Sequence, residues 1–123
     1  MLFTLWHRWL ASRRQLQLRT ALARRAIDDA LWQATLAALP FVASLPSDDV
    51  KRLRMLASLF LDGKEFSGAH GMQVSDAQAV MVACQACVPI LHIAPVDRPD
   101  LALAWYDGFV GIVLHEGEVR ARR

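Results

Sequence analysis

With two cysteines and one tyrosine among 123 residues, the chain holds little of what disulfide-rich or cysteine-ligated domains are built from. Two cysteines allow at most one disulfide, and a closed zinc site needs two ligands beyond those that Cys84-Gln85-Ala86-Cys87 offers. No apolar stretch reaches the eighteen or so uncharged residues of a membrane span. The early run Leu2 to Leu10 is broken by His7 and Arg8, which also spoils a standard signal peptide. Phosphate-cradling loops are missing too: Gly68-Ala69-His70-Gly71 has neither the Walker lysine nor the dinucleotide spacing. These absences make a single cytoplasmic domain the default expectation, large enough to bury a core without staples.

What is present is apolar and unevenly charged. Hydrophobic residues make up 54% and charged residues 21%, so either the core is generous or some apolar surface expects a partner. The net charge of +2 hides an asymmetry: residues 1–25 carry Arg8, Arg13, Arg14, Arg19, Arg24 and Arg25 with no acid. All twelve acids follow. Residues 1–25 read as a basic amphipathic helix with Leu2, Leu5, Trp6, Trp9 and Leu16 on one face. A solvated helical face is the plainest account of these arginines; as a binding element, the segment suits docking onto the acidic remainder of the same protein better than a membrane surface, although lipid headgroups attract the same pattern. It contains no recognisable base-reading helix, so direct nucleic-acid binding is not expected.

Along residues 26–123, Asp28 and Asp29 can cap a helix running to Leu39, with Pro40 ending it and Phe41-Val42 leading a turn to Pro46. Ser47 reads as the cap of a second helix, with Asp48 and Asp49 in its first turn. Val50, Leu53, Ala57, Phe60 and Leu61 follow at helical spacing, and Gly63 closes it. Lys64 to Val74 suggests a loop with a short strand around Phe66. Ser75 and Asp76 start a further helix, so apolar from Ala77 to Val88 that enclosure on most sides is expected. Asp97 to Asp100 reads as a turn-rich connection. The β-branched stretch Phe109 to Leu114 reads as a buried strand.

Candidate chemistry is sparse. His115-Glu116 invites comparison with the zinc motif H-E-x-x-H, but Val119 stands where the second histidine is required. Cys84 lies well inside an apolar helix and not at an exposed N-terminus, so the pair reads as two reduced, buried thiols. His7, His70 and His92 are scattered without ligand spacing. A tightly held ion on His92, His115 and a carboxylate would contradict the expectation that no catalytic, metal-binding or cofactor-binding residue occurs here.

One succession of short blocks is more specific than any single motif. Leu31-Trp32-Gln33-Ala34 precedes Leu39-Pro40-Phe41 with Leu45 and the Ser47 helix. Phe66-Ser67-Gly68-Ala69 with Gly71 comes next, then Gln85-Ala86-Cys87 with Pro89-Ile90-Leu91, then Trp105-Tyr106 with Gly117-Glu118. In this order, over residues 28–118, the chain resembles the MtfA family of bacterial zinc-dependent metallopeptidases, also called glucose-regulated metallopeptidases. The resemblance implies an α+β, mainly α fold: the helical N-terminal part of a zincin-like domain similar to the catalytic domain of anthrax lethal factor, with at least one strand near residues 109–114. It implies zinc and aminopeptidase activity for the full-length family, with peptides as substrates. For the best-known type it also implies binding of the transcriptional repressor Mlc, which relieves repression of glucose-uptake genes.

The family's H-E-x-x-H would begin beyond Arg123, so none of its site residues is carried over, and this chain alone is expected to bind no zinc and to be inactive. Gln15 to Arg25 stays outside the resemblance. The ending Arg120-Ala121-Arg122-Arg123 reads as the middle of a continuing sequence, so residues 26–123 are expected to be a truncated part of a peptidase domain. The alternative is a non-enzymatic protein–protein interaction module, using the basic head or an exposed strand edge to recruit a regulator or a second copy.

Overall fold

Asp28 sets the entry to the first helix: its carboxylate accepts from the Leu31 amide at 3.4 Å, and Asp29 follows in the first turn of α1 (Asp29–Ala38). The computed structural model of the protein describes residues 26–115, and the reading of residues 1–25 lies outside them. Pro40 does not simply end α1. It opens α2 (Pro40–Ala43), where a residue without an N–H costs nothing because first-turn amides have no helical acceptor. The turn expected between Phe41 and Pro46 is therefore partly helical.

Ser47 is not the cap of α3 (Ser47–Gly63). The cap position falls on Pro46, without a side-chain hydrogen bond, and Ser47 is the first helical residue. Asp48 and Asp49 remain in the first turn, at the positive end of the helix dipole. Leu53, Leu56, Ala57 and Phe60 form the buried stripe at spacings of three and four. After α3 come β1 (Glu65–Gly68), a 3-10 turn over Ala69–Gly71, and α4 (Asp76–Cys87).

The start of α4 matches the sequence reading and adds a reciprocal lock. The Gln78 amide donates to Ser75 Oγ at 3.2 Å, and the Ser75 amide donates to Gln78 Oε1 at 2.9 Å. Its enclosure is narrower than expected. Val80, Ala83, Cys84 and Cys87 form one buried face, whereas Gln85 is exposed and Met81, Val82 and Ala86 are half-buried. Apolar composition alone does not say which face meets the core. α4 packs on both α3 and α1, so Trp32 and Val42 share one core with Phe60, Cys84 and Leu91.

Past α4, the turn segment through residues 88–93 sinks Ile90 and Leu91 into that core. The connection read as turns at Asp97 to Asp100 contains α5 (Pro99–Leu103), again with proline in the first turn, followed by a 3-10 turn over Ala104–Tyr106. β2 (Gly111–Leu114) then pairs in parallel with β1, Phe66 opposite Ile112 and Gly68 opposite Leu114. A parallel pair requires a crossover, which α4 and α5 provide. β2 is half-exposed and not buried: its residues alternate, and Val113 is 55% exposed. The described fold is α+β and mainly α, helices around one core with a two-stranded sheet at the side.

Candidate functional site

The residues that carry the family resemblance divide between core and surface. Trp32 is 2% exposed, and Leu39, Cys87, Ile90 and Leu91 are buried with it. Phe41 at 55% and Trp105 at 69% are exposed, as are Gln33, Ala34, Pro40, Gln85 and Pro89. The glycine of Phe66-Ser67-Gly68-Ala69 has a steric reason: a Cβ there would stand 2.0 Å from the Met72 carbonyl oxygen. The chain then turns through His70 at φ 56° and Gly71 at φ 79°, both in the left-handed region.

Neither the cysteines nor the histidines assemble a reactive centre among the described residues. Cys84 and Cys87 are free and fully buried on the same face of α4. Burial pushes the Cys84 thiol up to about 11. Burial and then the neighbouring Cys84 push Cys87 up to about 12, the reverse of what a thiolate nucleophile needs. His92 is held by α3: Asp49 Oδ2 lies 3.3 Å from its Nε2, and Arg52 Nη1 lies 3.0 Å from Nδ1 while also donating to the Leu91 carbonyl. A guanidinium only donates, so Nδ1 accepts from Arg52, and the ring proton on Nε2 faces Asp49. That arrangement fixes a surface turn and leaves no lone pair for a metal. His70 and His115 are exposed on other elements.

No three His, Cys, Asp or Glu side chains converge on an ion among the described residues. No buried side-chain nitrogen or oxygen there lacks a partner that a ligand would supply. The described residues therefore do not fit a metal centre.

What the geometry does build is a candidate assembly face. Lys64, directly before β1, donates from Nζ to the Tyr106 carbonyl at 2.5 Å and to the Phe109 carbonyl, and its ammonium stands 4.3 Å from the Phe109 ring centroid. The Glu65 amide donates to the Val110 carbonyl at 2.8 Å and starts the strand pairing. Tyr106 turns inward, its hydroxyl donating to the Ala86 carbonyl at 2.7 Å and its ring edge-on to Phe60 at 5.9 Å. Tyr106 is thus pinned from both sides, and its neighbour Trp105 is left 69% exposed, with Leu101, Val110 and Val113 also exposed along the same part of the chain. With two strands in the described sheet, each strand keeps one edge unpaired within it. Sequence reading anticipated a strand edge but missed Lys64, whose role depends on carbonyls more than forty positions away.

The profile of the glucose-regulated metallo-peptidase M90 family matches residues 9–123. The chain belongs to this family. The match begins at Trp9 and so takes in Gln15 to Arg25, which sequence reading had left outside the resemblance. Among curated relatives, the chain is 32% identical over 84 residues to Mlc titration factor A of Enterobacter sp. (strain 638), covering 68% of this chain and 28% of that protein. Mlc titration factor A of Salmonella arizonae is 30% identical over 87 residues, covering 71% and 31%. An uncharacterized protein of Synechocystis is 35% identical over 81 residues, covering 63% and 30%. The chain thus spans about a third or less of the length of these relatives. No solved structure matches it significantly.

The family is one of metallopeptidases, and the described residues form a helical core with a two-stranded sheet at its side. No described helix is long and apolar enough to cross a membrane.

Proposed function

We propose that this chain is the N-terminal scaffold portion of an M90 zinc-dependent peptidase, carrying on its β1–β2 edge and Trp105 face a downstream part that holds the zinc and the H-E-x-x-H helix. In this reading α4 packs behind the catalytic helix and β2 extends the active-site sheet. Residues 1–25 form a basic amphipathic element, which the family match enters at Trp9, and residues 26–123 are the helical front of the peptidase domain. One observation carries the proposal: the stretch from Leu101 to Val113, which leads into and forms β2, exposes Leu101, Trp105, Val110 and Val113, and the two-stranded sheet keeps an unpaired edge on each strand within it. Solvated folds seldom leave such a surface bare unless another element covers it. By itself the chain is inactive. In the assembled cytoplasmic protein, the substrates are peptides and aminopeptidase activity is the expected reaction. A repressor of the Mlc type is the proposed partner, on the strength of the name that the relatives carry.

The test is co-expression of this chain with the part of Enterobacter Mlc titration factor A that lies beyond the aligned 28%. The expected result is a stable complex that retains zinc and cleaves peptides, while the chain alone does neither. Stoichiometric zinc or peptide cleavage by the purified chain alone would overturn the scaffold reading. The same exposed strand edge supports a second reading, a non-enzymatic module that pairs with a regulator or another copy of itself. Concentration-dependent dimers that Val113→Lys abolishes, with no complex formed on co-expression, would favour it.

A further inference from the structure

An open groove of about 650 Å³ lies between the start of α1, β1 and the start of α4. Leu31, Phe66 and Val80 give it an apolar floor, and Asp28, Glu65 and Asp76 stand around it as exposed acids. Lys64 also lines the groove, but its ammonium is committed to the carbonyls of Tyr106 and Phe109. The groove therefore presents apolar surface inside a negative rim. It shares no apolar side chain with the Trp105 face.

We propose that this groove is the receptor for the arginine-rich segment, residues 1–25, of the same molecule. The chemistry is complementary in both respects. That segment has six arginines and no acid, interleaved with Leu2, Leu5, Trp6 and Trp9. Such a sequence offers cations to the rim and indole or leucine side chains to the floor. The covalent arrangement favours this occupant over a free peptide: Ala26 and Ile27 are themselves part of the groove wall, so the basic segment is attached at its mouth. Attachment of that kind supplies a local concentration in roughly the millimolar range without further contacts. The inference does not depend on the scaffold reading and survives its failure.

The experiment uses the whole 123-residue chain, with Ser12→Cys carrying a nitroxide spin label. Cys84 and Cys87 are buried with raised pKa, so the new thiol takes the label selectively at neutral pH. The expected result is loss of amide signals around Phe66, Ala79 and Val80, with those of Ile93 and Leu101 unaffected. Glu65→Gln with Asp76→Asn, or salt at about 0.5 M, restores the lost signals because the rim attraction is removed or screened. Asp97→Asn with Asp107→Asn, acids outside the groove wall, does not. Signal loss spread evenly over the surface, or unchanged in the Glu65→Gln and Asp76→Asn variant whose spectrum stays folded, would overturn the proposal. So would loss seen in isotope-labelled chains that carry no nitroxide when they are mixed with spin-labelled chains, which would make a second copy the occupant.

Discussion

Lys64 Nζ lies 2.5 Å from the carbonyl oxygen of Tyr106, and this contact joins the residue before β1 to the turn that leads into β2. The same ammonium donates to the Phe109 carbonyl, so one cation satisfies two carbonyls that the turn leaves without helical partners. Lys64→Met keeps the aliphatic stem and removes the donors. It is expected to lower stability by about 1–3 kcal/mol, the usual range when charged hydrogen bonds are lost and acceptors are left unpaired. Hydrogen exchange localises the effect: amides of Gly111 to Leu114 should lose protection while those of α3 keep theirs. Uniform loss across both would mean that Lys64 supports the whole core and not the sheet.

Gly68 and His70 make opposite demands on the same turn. A methyl group on Gly68 would overlap the Met72 carbonyl at 2.0 Å, and that neighbour is backbone that cannot swing away. Gly68→Ala is expected to destabilise by about 3 kcal/mol or to leave the chain unfolded, above the usual range for a surface substitution. His70 holds φ at 56° with a side chain that disfavours it. His70→Gly should therefore stabilise by up to about 1 kcal/mol, since left-handed backbone costs an L-residue roughly that much. Urea midpoints of the two variants should move in opposite directions from the parent.

The sequence showed the parts of the fold whose causes are local. Ser75 with Asp76 marks a helix start within a single turn, and the stripe from Leu53 to Phe60 needs two helical turns. Where the cause was distant, the reading stopped or erred. Phe109 to Leu114 reads as a buried strand because its side chains are apolar, yet its burial depends on which element covers it, and β1 alone does not. Pro40 and Pro99 read as breaks because proline ends helices, whereas both sit in first turns where the missing N–H has no consequence. The candidate assembly face was legible only as composition: Trp105 and Trp32 are both motif tryptophans, and nothing near either one says which is inside.

Alkaline pH should weaken the fold through the interior of α4 and its neighbour. Burial raises Tyr106, lifts Cys84 to about 11 and, with the nearby Cys84, lifts Cys87 to about 12, from an ordinary thiol value of 9.0. A group whose folded pKa is raised binds its proton longer in the folded state than in the unfolded one. Its contribution is whole below the unfolded pKa and disappears as pH climbs towards the folded value. Stability should therefore be level up to about pH 9 and fall between there and about pH 12. Cys84→Ala with Cys87→Ala lowers stability at neutral pH by opening space in the core, but it should flatten that alkaline decline. An unchanged slope of urea stability against pH in the double variant would remove the thiols as its cause.

The two motif tryptophans give the sharpest contrast between core and assembly face. Trp32 is 2% exposed and packs in the central cluster, so Trp32→Ala should cost about 3–5 kcal/mol and broaden or abolish the urea transition. Trp105 is 69% exposed, and Trp105→Ala should shift the stability of the isolated chain by no more than about 0.5 kcal/mol. If that face receives the downstream peptidase part, the same silent substitution should prevent recovery of the complex on co-expression, and Trp105→Phe should restore part of it by returning apolar area. A Trp105→Ala chain that assembles as fully as the parent would place the interface elsewhere, and one that unfolds in isolation would make Trp105 a core residue.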